Sequence, residues 1–220
     1  MAESAFAADL ARDDRYIRTK VEPLLGHELG LAQRADLDLY LSELRSWGAR
    51  LDLVAPRDAG EFLDLALWDA AVLAREESLR GEHGDHLVDV GSGGGAPGIP
   101  LGIFLSSLRG RQRLTLVEPR AKRVTFLRTV TARVSSVEIE VFKGRSEELP
   151  SKGFDVALAR ATLPPAAWLQ EGSRLATKAV WVLLAKGEAP AGDSWTTTAD
   201  VDYEWPLVGH RRRAVRYASG

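Results

Sequence analysis

Between residues 37 and 51 the apolar positions fall three and four apart: Leu37, Tyr40, Leu41, Leu44, Trp47 and Leu51. That spacing lines one face of an amphipathic helix. A second helix is marked at its start by Asp58, with Glu61 three residues on, the pattern of a capping box. Phe62, Leu63, Leu67 and Val72 then form its apolar stripe. The stretch 80–86 is polar, holds two glycines and reads as a linker. Residues 1–80 are therefore expected to form a helical N-terminal cap.

From Leu87 the period changes. Short apolar runs at 87–90, 114–117, 139–142, 156–158 and 180–184 alternate with helical patterns near 98–108, 120–134 and 165–176. Strands alternating with helices predict a parallel sheet with right-handed crossovers. The end differs: Tyr203–Val208 and Arg213–Tyr217 read as two strands joined by a turn at Gly209. Residues 87–220 are thus expected to form an α/β domain of five parallel strands and a terminal antiparallel pair. No repeat of fixed period and no low-complexity tract is visible.

Composition narrows the chemistry. The 220 residues include no cysteine, which removes disulfides, thiolate metal sites and Cys nucleophiles. Met1 to Arg15 mixes acids and bases without the apolar core of a signal peptide. No run approaches the roughly 18 apolar residues of a membrane span. A cytoplasmic location without a membrane partner is expected. His27, His83, His86 and His210 are scattered, so no metal is expected. Net charge is −2, but residues 1–86 carry −8 and residues 87–220 carry +6. An acidic front on a basic body points to a face that meets a polyanion.

The densest chemical signal runs from Leu87 to Gly98: Leu-Val-Asp-Val-Gly-Ser-Gly-Gly-Gly-Ala-Pro-Gly. It follows a predicted strand and precedes a predicted helix. Glycines there permit positive φ and let a ligand approach the backbone. Gly91, Ser92, Gly93, Gly95 and Ala96 are the candidate cradle. The next strand ends in Glu118, at a position where a carboxylate accepts hydrogen bonds from ribose hydroxyls. Asp89, ahead of the glycines, either holds a cofactor amino group or braces the loop. A dinucleotide would place its pyrophosphate on the helix start. S-adenosylmethionine carries a cation and an amino-acid end instead. The acid ahead of the glycines and the terminal strand pair favour S-adenosylmethionine.

These residues resemble a known family, the bacterial 16S rRNA guanine-N7 methyltransferases, also called the glucose-inhibited division protein B family. The likeness extends from about Leu37 to Tyr217. It is carried by the run from Asp89 to Leu101 with its Pro-Gly-Ile-Pro-Leu end, then by Leu116-Val117-Glu118, Lys122-Arg123-Val124 and Phe126-Leu127. Further blocks are Gly144 to Glu148, Phe154-Asp155, Arg160-Ala161, Ala185-Lys186-Gly187 and His210-Arg211-Arg212. The resemblance implies an α/β class I S-adenosylmethionine-dependent methyltransferase (Rossmann-like) sheet with an N-terminal helical extension. It implies methyl transfer to N7 of one guanine in 16S rRNA of the small ribosomal subunit; separately, a monomer is expected. Under it Gly91 and Ala96 lie on the cofactor loop, Glu118 is the ribose acid, Ser146 and Glu147 sit beside the adenine, and Arg160 stands at the mouth. The sequence departs from the family at Asp52-Leu53-Val54, at Ala66 and Ala70 on either side of Asp69, and at Ala96, where a bulky apolar residue is usual.

Guanine N7 carries a lone pair and no proton, so the reaction needs positioning rather than a general base. Arg160 and Lys186 are the candidate positioning residues, gripping phosphate, the base O6 or the cofactor carboxylate. Between Arg109 and Arg133 stand eight Lys/Arg and one acid, and the tail adds Arg211, Arg212, Arg213 and Arg216. Arg120, Lys122, Arg123, Arg211 and Arg213 are the candidate RNA contacts. Strand alternation points Arg212 away from its two neighbours. Two other readings stay open: a small-molecule methyltransferase on the same sheet, and a degenerate S-adenosylmethionine-binding protein.

Overall fold

The computed structural model describes residues 2–51, 53, 56–78, 86–192 and 194–219. The first helix, α1 (Ala2–Tyr16), passes through a π-helical turn (Ile17–Val21) into α2 (Glu22–Leu25). Helix α3 (Leu31–Leu51) carries the stripe read from the sequence, with Leu37, Tyr40, Leu41 and Leu44 fully buried. Each such leucine stabilises the fold by about 1.5–3 kcal/mol relative to an exposed one. The next helix is continuous but not uniform. It starts as α4 (Ala59–Leu63), widens into a π turn (Asp64–Trp68) and ends as α5 (Asp69–Ser78). Asp58 caps it, accepting the Glu61 N–H at 2.8 Å. Glu61 does not return to Asp58; it accepts the N–H of Arg57 at 2.6 Å. The expected box is therefore half formed, with its reciprocal arm one residue earlier.

The sheet comprises β1 (His86–Val90), β2 (Arg113–Val117), β3 (Glu138–Phe142), β4 (Phe154–Ala159), β5 (Ala176–Leu184), β6 (Trp195–Glu204) and β7 (Arg211–Ser219). Their order is β3-β2-β1-β4-β5-β7-β6. The first five are parallel, and β7 runs antiparallel to both β5 and β6. Helices α6 (Gly98–Arg109), α7 (Ala121–Thr131) and α8 (Pro165–Leu175) connect them. Side chains alternate across each strand. Leu87, Leu114, Leu116, Leu158 and Trp181 share one apolar cluster with α6, α7 and the N-terminal helices. Val88, Val90, Ala157, Val180 and Val182 form a second cluster with α8. The helical cap and the sheet thus close over a common core.

Two sequence expectations need correction. The sixth strand was expected at Tyr203–Val208 but occupies Trp195–Glu204, and residues 205–210 make the turn. Pro206 has no N–H to give a ladder, while the threonines at 196–198 suit a pleated strand. Arg216 was counted with the basic tail. It is buried, and its Nε donates to Glu77 Oε1 at 2.8 Å. The proposed linker falls on residues 80–85, outside the described residues, as does His83; His86 already belongs to β1. Among the described residues no helix is long and apolar enough to cross a membrane.

Glu77 joins three layers. It comes from α5, Arg216 from β7, and the Trp181 indole of β5 donates to the same Oε1 at 2.8 Å. A charge left buried without its partner is far costlier than the pair itself. Glu77→Gln is expected to lower unfolding free energy by about 3–5 kcal/mol in a urea titration. A loss below about 1 kcal/mol would mean that the cluster is wetter than its burial implies.

Candidate functional site

The chain reverses its progress across the sheet between β1 and β4. In open α/β sheets, ligands bind at that point, beyond the carboxyl ends of the strands. The loop after β1 is held there by hydrogen bonds from three sides. The N–H groups of Gly91 and Ser92 both donate to Val117 O, at 2.8 and 3.1 Å. Thr162, just past β4, donates from Oγ1 to Val90 O at 2.9 Å. From the cap, the buried Tyr40 hydroxyl donates to Gly94 O at 3.1 Å. Gly91 has φ +74°, and a Cβ there would stand 2.3 Å from Thr162 Oγ1. No other residue fits between these two loops.

Two cavities open along this seam. The first, about 350 Å³, is lined by Gly91, Ser92, Gly93, Ala96, Glu118 and Arg160, with Leu53, Arg120 and Arg123 at its sides. The second, about 360 Å³, lies past β4 and β5 and is lined by Asp69, Arg160, Leu184, Lys186, Tyr203 and Arg212 among others. Arg160, Ala161 and Thr162 belong to both walls. Ala161 takes φ +55°, a left-handed backbone that a residue with a Cβ rarely adopts. Such strain persists only where the surroundings enforce it.

Glu118 is buried beside the first cavity. Its backbone N–H continues the sheet to Phe142 O at 3.1 Å. Its carboxylate accepts the N–H groups of Gly93 at 3.0 Å and Arg120 at 2.9 Å. The acid is thereby oriented before any ligand arrives. Arg160 is equally fixed. Its Nη1 donates to Leu65 O at 2.7 Å and to Asp69 Oδ2 at 3.0 Å. The other oxygen of Asp69 accepts the Tyr203 hydroxyl at 2.9 Å and the Trp205 indole N–H at 2.8 Å. Burial and the adjacent Asp69 carboxylate hold the Tyr203 phenol far above its ordinary range, so it stays a donor.

A profile of the rRNA small subunit methyltransferase G family matches residues 33–204. The chain belongs to that family. A Mycobacterium leprae member, named ribosomal RNA small subunit methyltransferase G, is 39% identical over 142 residues, 63% of this chain and 52% of its own length. The chain therefore spans about half the length of that relative. A Dinoroseobacter shibae member of the same name is 30% identical over 190 residues, covering 84% of this chain and 94% of its own. Among solved structures, a mutant of MtNAS in complex with S-adenosylmethionine superposes with a TM-score of 0.52 at 17% identity, over 86% of this chain and 77% of that one. At this identity the likeness shows the fold, the Rossmann-like class I methyltransferase sheet.

Within this family frame the structure sorts the candidate residues. Gly91, Ser92, Gly93, Ala96, Glu118 and Arg160 meet at the first cavity, and Lys186 joins Arg160 at the second. Gly95 supports the loop from behind, where an added Cβ would press on Ile99 at 2.5 Å. Asp89 points away from the cavity, under the start of α6, and a Cβ on Gly98 would lie 2.6 Å from its Oδ2. Ser146 is buried and Glu147 exposed on a short 3₁₀ turn after β3, outside the cavity lining. Arg174 of α8 fixes that turn, donating to Ser146 O at 2.7 Å. Ala66 and Ala70 are buried in the apolar cluster, and Asp52 and Val54 fall outside the described residues.

The RNA candidates divide. Arg120 and Arg123 stand at the first cavity rather than apart from it, and Lys122 is exposed next to them. Arg213 is held by Asp200 through Nε at 2.7 Å and Nη2 at 2.6 Å. Arg211 is exposed beside Glu204 at 3.1 Å. Arg212, which the alternation had set aside, lines the second cavity. Sequence reasoning also passed over Tyr203 and Thr162, and read Tyr40 as core packing alone. Among the described residues no cluster of His, Asp or Glu is arranged to hold a metal.

Burial pushes the Asp89 carboxyl up to about 7. An unfolded chain ionises this group near its ordinary value of 3.8, so the folded protein loses stability from it as pH rises from about 4 to about 7. Asp89→Asn is expected to flatten that part of the urea midpoint against pH profile. Wild-type and Asp89→Asn profiles that run parallel across this window would show Asp89 ionised in the fold.

Proposed function

We propose that this chain is an S-adenosylmethionine-dependent methyltransferase acting on N7 of a guanine in 16S rRNA of the small ribosomal subunit. The observation that carries it is the first cavity: a glycine cradle facing a buried, pre-oriented carboxylate, in a chain of this family. The cavity fits the cofactor on its own chemistry. Its approximate volume of 350 Å³ lies in the range of small-molecule sites, about 300–1,000 Å³. Glu118 accepts two backbone N–H groups and keeps further lone-pair capacity for ribose hydroxyls. Ala96 and the glycines leave the loop bare enough for close approach.

When bound, S-adenosylmethionine supplies a methyl group activated by a sulfonium. The residues of the chain do the rest by placement. Glu118 holds the ribose end. Arg160 stands in the wall common to both cavities and keeps cofactor and acceptor in register. The second cavity, floored by Ala159, Trp168 and Val182, excludes water from the acceptor base. N7 has no proton to lose, so no side chain serves as a base. Holding two reactants at attack distance lowers a barrier by roughly 7–11 kcal/mol.

Glu118→Gln keeps one acceptor oxygen and is expected to weaken S-adenosylmethionine binding about ten- to a hundredfold by calorimetry, with folding intact. Methyl-labelled cofactor incubated with small subunits lacking N7 methylation is expected to mark a single guanine. Cofactor binding with no label on subunits or naked rRNA would remove the rRNA substrate and favour a small-molecule acceptor.

A further inference from the structure

The second cavity carries more charge than a site for a bare base requires. Arg160, Lys186 and Arg212 line it against one carboxylate, Asp69. Arg160 is already committed to Asp69 and to Leu65 O. That leaves Lys186, exposed just past β5, and Arg212 on β7.

Arg212 is held in place, and among the described residues no carboxylate forms an ion pair with it. Its guanidinium lies 4.2 Å over the Trp205 ring. That ring is itself fixed, by its N–H to Asp69 at 2.8 Å and by the His210 ring 5.5 Å away on centroids. One guanidinium N–H goes to Arg211 O at 3.0 Å. Stacking occupies the flat face of an arginine and leaves its edge donors for an anion. The cavity floor, Ala159, Trp168 and Val182, is apolar. Apolar floor and cationic rim together suit a molecule with a flat uncharged ring and an anionic tail.

Resting on the proposed reaction, we infer that this cavity receives one nucleotide everted from its strand, its base on the apolar floor and its phosphate between Lys186 and Arg212. An enzyme that modifies a base acts on a single strand or takes the base out of the stack, and the pocket then reads it alone. The cations belong at the phosphate and not at the base edge, because methylation at N7 leaves the ring positive and a guanidinium beside it would oppose the product. Lys186 and Arg212 are thus phosphate-binding residues, and Trp205 positions Arg212.

The test uses the full chain loaded with S-adenosylhomocysteine and titrated with guanosine and with guanosine 5′-monophosphate by calorimetry. The monophosphate is expected to bind about tenfold more tightly, the worth of a charge-assisted phosphate contact. Lys186→Ala and Arg212→Ala should each remove most of that preference. Arg212→Lys should restore most of it, which a purely structural loss of the Trp205 stack would not allow. Arg18→Ala, among the N-terminal helices and paired with Asp14, should leave it unchanged. Equal affinity for nucleoside and monophosphate, a preference that survives both alanine variants, or no binding of either would overturn the assignment. Lys186 is exposed, so its variant decides the matter even where Arg212→Ala fails to fold. Labelling of small subunits, read in parallel, separates the two claims. Transfer without a monophosphate preference removes the phosphate site alone. A preference without transfer removes the rRNA substrate alone.

Discussion

Five residues of one helix, Asp64 to Trp68, are wound wider than the helix on either side, and both cavities depend on it. On an α-helix, residues five apart point roughly 140° away from each other. A turn that closes from residue i to i+5 brings them toward one side. Asp64 and Asp69 are five apart, both are buried, and both reach the β6–β7 hairpin. Asp64 accepts the Tyr16 hydroxyl and the N–H groups of Leu207 and Val208. Asp69 accepts from Arg160, Tyr203 and Trp205. A carboxylate taken out of water is tolerable only when donors replace its hydration. Burial still raises the Asp64 carboxyl, but Tyr16 and the two N–H groups oppose that rise. The two aspartates therefore fix where the hairpin, the tip of β4 and the cap meet, and that meeting place is the wall of the second cavity.

At this joint Ala66 and Ala70, where the sequence reading expected departures from the family, stand clear of the site. Both residues are buried in the apolar cluster and line neither cavity. Small apolar side chains there let the helix sit close against α6. The residue between them, Asp69, lines the second cavity with its carboxylate. Leu53, beside another departure, supplies apolar wall to the first cavity. The cap thus contributes contacts of two kinds, polar at Tyr40 and Asp69 and apolar at Leu53.

Much of this was legible in the chain. The parallel strands stood out because both their faces are buried, which makes their apolar runs continuous. The placement of Glu118 at the first cavity was legible, because the residue after a parallel strand beside a glycine loop lies at the carboxyl edge of the sheet. Parity along β7 was also legible, since Arg212 must face away from Arg211 and Arg213. Its absolute direction was not. That is set by Arg216, which shares parity with Arg212 and is drawn inward by Glu77, 139 residues away in sequence. A distant partner of this kind leaves no local trace. The same holds for Asp89, whose side chain is turned under α6 by packing against Gly98, and for the sixth strand, where polar residues exposed on one face hide the pairing with β7.

The uneven charge of the chain suggested a face for a polyanion, and the structure changes what that charge means. Part of the excess in the sheet half is internal: Arg216 is buried on Glu77, and Arg109 lies 3.9 Å from the same carboxylate. Part is matched locally, as Arg213 is by Asp200 and Arg111 by Glu138. Part crosses to the acidic half, where Arg133 meets Glu43 at 2.8 Å. Net charge therefore says little about where RNA would lie. Position says more. Arg120, Lys122 and Arg123 flank the first cavity and Lys186 and Arg212 line the second. Charges at a concave mouth with low-dielectric walls steer an anion more strongly than the same charges spread over a surface. An attraction confined to that mouth would align a strand with the two cavities as it binds, so that the step that gathers the RNA also orients the base.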